Sequence, residues 1–368
     1  MSPAETLIRN EIRHHGAISF ARFMELALYS PKMGYYETHA KTIGRKGDYF
    51  TSVSVGEVFG ALLGCQIADW IQEAERPGGE KFTILEAGAH DGQLAQDILV
   101  WLEANRPDSF KRLRYVLLEP SESRQQWQAE RLRPYADQVE WFRTWEQIQA
   151  FSGLVVCNEL LDAFPFRRFV WKHSESKWYE QFVAASNDSL KWTTSREPGS
   201  AIELLLRSGG YPMSDELMQV LPDGYVLEDA ESARSWWRVA ASRLNRGRLL
   251  AIDYGATAQE LIRPERCQGT ARAYSEHRVC DDLLARPGEQ DLTAHVNFTG
   301  IQTAGEECGL KTEVFTTQGQ FLTRITAEAI RSGRDFHWTP KQRNQFQTLV
   351  HPEHLGRLFK VLIQSRGL

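Results

Sequence analysis

The chain has no C-x-x-C pair and no H-E-x-x-H among its ten histidines, so neither a zinc knuckle nor a zincin-type centre is indicated and no metal is expected. Its cysteines are few, odd in number and scattered (Cys65, Cys157, Cys267, Cys280 and Cys308). That excludes a disulfide framework and reads as reduced thiols in a reducing compartment. No apolar run approaches the roughly 20 residues that a membrane helix needs. The N-terminal stretch MSPAETLIRNEIRHHG carries Glu5 and Glu11 and lacks an apolar core, so it reads as neither a signal peptide nor a transit peptide. A soluble, cytoplasmic protein is expected. Basic excess is also missing. A net charge of −5 gives no nucleic-acid footprint and fits, weakly, a cationic small ligand or a basic peptide. There is no internal repeat and no low-complexity tract.

What is present is a core-forming composition: 368 residues, 42% hydrophobic and 11% aromatic. This length holds one large α/β domain with insertions, or two domains. Residues 1–75 read as a helical segment. Ser19 can cap a helix through FARFMELAL, which Pro31–Gly34 breaks. GRKGDYFTS (44–52) then leads into the amphipathic VGEVFGALLGCQIADWI, and RPGGE (76–80) is a turn and a boundary. In residues 76–368 short apolar runs alternate with helical patterns. FTILEA (82–87), RYVLLEP (114–120), the start of GLVVCNELLDAFP (153–165), RGRLLAIDYG (246–255) and GRLFKVLIQSR (356–366) read as strands, and VEWFRTW (139–145) as a strand or a loop edge. Near-continuous Val/Ile/Leu runs alternating with helices predict a doubly wound parallel sheet. Two insertions interrupt it. Residues 166–232 suggest a β-meander followed by a helix near 201–208, and residues 256–300 are polar and loop-rich. Both follow strand C-termini, where ligands of open α/β sheets bind.

The loop E-A-G-A-H-D-G (86–92) asks which cofactor it serves. A dinucleotide fingerprint wants G-x-G-x-x-G, and a P-loop wants G-K-[ST]. Neither is here. S-adenosylmethionine carries no phosphate. It needs room beside the loop and a carboxylate near its ammonium, which Glu86 supplies. It also needs an acid at the end of the second strand for the ribose hydroxyls, where Glu119 stands. Asn158, Glu159 and Asp162 add three polar groups at the end of the fourth strand. Glu159 and Asp162 are the candidates to grip a cationic acceptor. Asp291 and His295 can close the acceptor side, with His295 a proton acceptor near neutral pH or else a structural histidine. Asp253-Tyr254-Gly255 is expected to face the same cleft, and Trp236-Trp237 to serve core or interface.

FMELALYSPKMGYY (23–36), GDYFTS (47–52), NELLDAFP (158–165), IDYG (252–255), GTARAYSEHRV (269–279), PGEQDLTAHVNF (287–298) and LFKVLIQ (358–364) together resemble the MidA-like family. Its members are class I S-adenosylmethionine-dependent methyltransferases with a Rossmann-like sheet. Its mitochondrial members are protein-arginine methyltransferases acting in complex I assembly. The resemblance covers almost the whole chain, and NELLDAFP and PGEQDLTAHVNF are its specific parts. It implies a donor site of Asp48, Thr51, Ser52, Glu86, Gly88, His90, Gly92, Glu119 and Asn158, with the loop from Gly47 folded over S-adenosylmethionine. It also implies a protein substrate, with a respiratory-complex subunit as one possibility. A small-metabolite O- or N-methyltransferase and a non-catalytic assembly factor are the alternatives. Three residues depart from the family pattern. His90 replaces the central glycine of the loop, Ala271 a Leu, and Asn297 an Asp.

Overall fold

The computed structural model describes residues 1–38, 51–74, 81–196, 200–275, 278–334 and 336–368. Gly47, Asp48 and the turn at 76–80 lie outside the described residues. Seven strands build the central sheet: β1 (Phe82–Ala87), β2 (Leu113–Leu118), β3 (Val139–Phe142), β4 (Phe151–Asn158), β5 (Leu244–Ala256), β6 (Lys311–Thr317) and β7 (Phe359–Arg366). Their order is β6-β7-β5-β4-β1-β2-β3, with the short Val296–Asn297 strand added beside β5. β1 to β5 pair in parallel, and β7 runs antiparallel to both neighbours. The order reverses between β1 and β4, which opens a crevice at the carboxyl ends of the strands.

The apolar runs are continuous because both faces are covered. Ile84, Leu117, Val156 and Ile252 face one core, shared with helices Val58–Ala74, Gln93–Asn105 and Gln318–Arg331. Their neighbours Leu85, Val116, Val155 and Ala251 face the opposite core, against helices Glu231–Arg243 and Phe298–Glu307. Trp237 is fully buried there and donates its indole N–H to Gln364 Oε1 at 2.7 Å. Trp237→Ala would cost about 3–5 kcal/mol. Helix Val58–Ala74 is buried on almost every side rather than amphipathic. Gly60 and Gly64 let it approach the next helix closely: a Cβ on Gly60 would stand 2.3 Å from Asp97 Cβ, and one on Gly64 3.2 Å from Trp101. β6 and the helices Phe298–Glu307, Gln318–Arg331 and Pro340–Val350 are elements that the sequence reading did not mark.

The meander expected in 166–232 is present. Strands Arg167–Lys172, Lys177–Ala185 and Leu190–Thr194 pair antiparallel, joined by Val226–Asp229 and by the N-terminal pair Ile18–Ser19. The second insertion folds Arg272–Ser275 between Arg278–Cys280 and Asp291–Thr293. Ser19 caps helix Phe20–Tyr29 as expected, its Oγ accepting from the Arg22 N–H at 3.2 Å. That helix and Pro3–His15 bury Ile8, Phe20, Phe23 and Leu28 against Phe166 and Val183 of one insertion and Ala273 and Leu292 of the other. Asn297 caps helix Phe298–Glu307 by accepting from the Gly300 N–H at 3.2 Å, and its amide also donates to Gly209 O at 2.7 Å. An Asp could not donate that second bond, which gives the departure at 297 a physical reason.

Candidate functional site

A cleft of about 1380 Å³ opens beyond the carboxyl ends of β1, β2 and β4. The glycine loop forms its floor. Gly88, His90 and Gly92 all take left-handed backbone, with φ of 74°, 47° and 84°. Gly88 is required twice over, because a Cβ there would stand 2.9 Å from Leu160 Cδ1. Gly92 caps helix Gln93–Asn105, its N–H bonding Ala89 O at 2.7 Å. His90 adopts the backbone that a glycine would take for nothing. Its ring lies toward Asp91 (Nδ1 to Oδ1, 3.6 Å) and Trp127 (centroids 6.4 Å apart), on the side of helix Glu122–Arg131. Burial holds its pKa below the usual histidine value.

The two strand-end acids flank this floor. Glu86 is buried and accepts from the Tyr115 hydroxyl at 2.6 Å, and burial pushes its pKa up to about 7. Glu119 accepts from the Ser121 N–H at 3.0 Å and from Gln128 Nε2 at 3.1 Å, and burial raises its pKa as well. Each carboxylate keeps lone pairs for a further donor.

The end beyond β4 is built differently. Glu159 sits at φ 51° and accepts from the Ser52 N–H (3.1 Å), Asn158 Nδ2 (3.1 Å) and the Tyr254 hydroxyl (3.0 Å). Burial, then the nearby Asp253 charge, push its pKa up to about 8. Asp253 does not line the cleft as the sequence suggested. It is buried behind the wall, where Oδ2 accepts from the N–H groups of Leu160, Leu161 and Asp162 at 3.1, 2.8 and 3.3 Å. It thereby fixes the turn that presents Glu159. Asp162 is also buried away from the cleft, and burial together with Asp253 and Asp291 raises its pKa well above the usual carboxylate value. Asp291 accepts from the Tyr36 hydroxyl at 2.6 Å.

Thr51, Glu86, Gly88, His90, Glu119, Asn158 and Glu159 therefore share the cleft wall. Gly92 and Ser52 support it from behind. The Ser52 hydroxyl is turned to Gln318 Oε1 at 2.8 Å, and only its backbone reaches Glu159. Asp162 and His295 instead line a second, small cavity on the far side of the Leu161–Phe164 turn. His295 keeps much of its surface exposed and accepts at Nδ1 from Arg266 at 3.4 Å. Desolvation of the ring and the cations Arg266, Arg272 and Lys360 lower its pKa, which makes it a weak base at neutral pH. Sequence reasoning missed the aromatic walls. Trp145, Phe164 and Trp236 form one (Trp145–Trp236 5.5 Å, Phe164–Trp236 6.0 Å), so the Trp236-Trp237 pair divides between cleft and core. Tyr29 and Tyr36 form the other, with Arg124 5.0 Å over Tyr36. Only the position of Trp145 just past β3 could have signalled this.

Among the described residues thirteen buried side-chain polar atoms have no partner, and six belong to residues of this cleft. They are His90 Nε2, Asp97 Oδ2, Arg124 Nη2, Trp145 Nε1, Asn158 Oδ1 and Gln345 Oε1. Buried polar groups are rarely left unpaired unless something else binds them. Apolar aromatic walls with such a set fit a ligand that combines a flat base, ribose hydroxyls and a charged amino-acid end.

The sheet order and the cleft above its switch point define a Rossmann-like fold with its ligand site at the switch point. The chain belongs to a family described as S-adenosyl-L-methionine-dependent methyltransferases, whose model matches residues 62–316. It is 27% identical to the Protein arginine methyltransferase NDUFAF7 homolog, mitochondrial, of Drosophila melanogaster, over 98% of this chain and 84% of that one. It is 25% identical to the Danio rerio protein of the same kind, over 94% and 82%. A solved structure from Burkholderia thailandensis bound to S-adenosyl-homocysteine superposes with a TM-score of 0.84 at 29% identity, covering 99% of this chain and 92% of that one. S-adenosylmethionine is thus the cofactor. Among the described residues no helix is long and apolar enough to cross a membrane.

Proposed function

We propose that this enzyme methylates an arginine side chain of a protein partner. The observation that carries the reading is Glu159, a carboxylate held on the cleft wall by three donors and kept from ionising freely by burial. Such a group is stabilised when a guanidinium arrives, and an arginine cannot be deprotonated by a free base. Bound S-adenosylmethionine supplies an electrophilic methyl group on a sulfonium, which leaves readily. In this reading Glu119 holds the ribose, Glu86 the ammonium side, and Gly88 and Asn158 the methionine end. Glu159 orients the guanidinium in line and takes up its proton as the new N–C bond forms. Trp145, Phe164 and Trp236 exclude water. Asp162 and Asp253 position the turn. The relatives' names support a protein acceptor, and a respiratory-complex subunit is the first to test. The five unpaired cysteines suit a reducing compartment such as the cytoplasm.

The test uses purified protein, labelled S-adenosylmethionine and a proteome extract from cells lacking the enzyme. Acid hydrolysis should return label as methylarginine. Label that appears only in small molecules, or on another residue, overturns the reading.

A further inference from the structure

Acids outnumber cations among the charged residues that line the cleft, yet cations gather behind its acceptor wall. Arg266, Arg272 and Lys360 all act on the exposed His295. None of the three makes an ion pair among the described residues: Arg266 donates to His295 Nδ1 at 3.4 Å, Arg272 to its neighbour's carbonyl (Ala271 O) at 2.7 Å, and Lys360 to Arg357 O at 3.1 Å. Glu260 is the carboxylate within electrostatic reach of Lys360, and it is held in a capping box by Thr257. Because Arg266 can only donate, Nδ1 of His295 accepts and Nε2 carries the proton, so the imidazole adds a donor and no negative charge. In a chain of net charge −5 this is a local reversal of sign.

The patch is also tied to the cleft. The Ala294 N–H bonds Asp162 O at 3.1 Å, so the segment carrying His295 is fastened to the turn whose Ala163 and Phe164 line the cleft. Lys360 is the register partner of Asp253, which caps that same turn.

We propose that Arg266, Arg272, His295 and Lys360 form a docking site for an acidic segment of the protein substrate, beside the residue whose side chain enters the cleft. This rests on the acceptor being a protein. Charge complementarity selects an acidic partner, and with a protein as the acceptor that partner is an acidic segment of the same chain. Recognition is then bipartite. A cation goes to Glu159 and anions go to this patch, which excludes arginines in basic surroundings.

The probe is a fluorescein-labelled hexaglutamate peptide without arginine, read by anisotropy with the full chain at low ionic strength. Binding should weaken about tenfold in Arg266→Ala/Arg272→Ala and stay unchanged in Arg207→Ala/Arg331→Ala, two exposed arginines elsewhere. Lys360→Gln alone should weaken it about threefold, which keeps the test open if the double variant is unstable. Calorimetry with S-adenosylhomocysteine reports folding and the donor site separately, and methylarginine formation reports the acceptor chemistry separately. Equal losses in both double variants, or no wild-type binding, would overturn the docking site. A single-stranded oligonucleotide binding more tightly than hexaglutamate would overturn the acidic peptide in favour of nucleic acid.

Discussion

The donor half and the acceptor half of the cleft share one wall and are built in opposite ways. Gly88, His90, Gly92 and Glu86 come from one strand–turn–helix passage, and Glu119 from the next. Their partners are local or lie one strand away, as with Ser121 for Glu119 and Tyr115 for Glu86. Glu159 is held by Ser52, Asn158 and Tyr254, and its supporting turn by Asp253, so distant segments must meet before it exists as a site. The charges differ in the same sense. Burial is the first cause in both halves, but the carboxylate Asp253 ranks second for Glu159 and Asp162, whereas Asp91 and Asp97 on Glu86, and Glu37 on Glu119, rank behind those acids' hydrogen-bond partners. A site assembled from separate segments can set Glu159 and Asp162 beside the distant Asp253, and the repulsion stored there is relieved when a cation enters.

The largest effect should come from breaking the acceptor half alone. Glu159→Gln keeps the shape and removes the charge, so single-turnover transfer should fall by roughly 10²-fold or more while donor affinity stays within a few-fold. Asp162→Asn should cost less in transfer, because its side chain faces away from the cleft. Full activity in Glu159→Gln would instead point to an acceptor that is already nucleophilic.

The matching break in the donor half is Glu119→Ala. It should weaken S-adenosylhomocysteine binding by about 2–4 kcal/mol in calorimetry, through lost ribose bonds and the stranded Gln128 amide. An unchanged dissociation constant would move the ribose elsewhere.

This division also explains what the sequence could tell. β1, β2, β4, β5 and the glycine loop are periodic runs ended by recognisable turns, and they lie where the pattern predicted. β6, KTEVFTT, alternates only weakly and its residues are half-exposed, so nothing in the run marks it as a sheet strand. Glu119 was legible because a strand-end acid needs only its own strand. The burial of Asp253 behind the wall was not legible, since it depends on three N–H groups about ninety residues earlier. The aromatic wall of Trp145, Phe164 and Trp236 comes from three segments with no shared spacing.

A smaller and graded effect follows from pH. A guanidinium must bind ionised Glu159, whose pKa is about 8 in the free protein. kcat/KM should therefore rise with pH, by up to tenfold per unit, and level off near pH 8. Donor binding should lack this limb. Stability runs the other way. Glu86, Asp97, Asp253 and Glu159 have folded pKa values of about 7, 6, 7 and 8, all above those of the unfolded chain. The folded state then holds more protons, so their favourable contribution is complete below about pH 4 and is lost as pH rises through 6 to 8. The melting temperature of the ligand-free protein should fall between pH 6 and 9. A rise would mean that these acids are less buried than the structure has them.

The smallest effect should be at His90, where the donor half departs from its family. Two terms favour His90→Gly: relief of a left-handed backbone, about 1 kcal/mol, and removal of a buried Nε2 without a partner, about 1–3 kcal/mol. Two oppose it. Glycine costs about 0.5–1 kcal/mol more chain entropy on folding, and the ring's packing beside Trp127 is lost. These nearly cancel, and the ring packs toward Trp127. Donor affinity should therefore change less than about threefold and the melting temperature by a few degrees at most. A fall in S-adenosylhomocysteine affinity of tenfold or more would instead make His90 Nε2 a ligand contact. Donor binding that appears only in the glycine variant would mean that the histidine had closed the site.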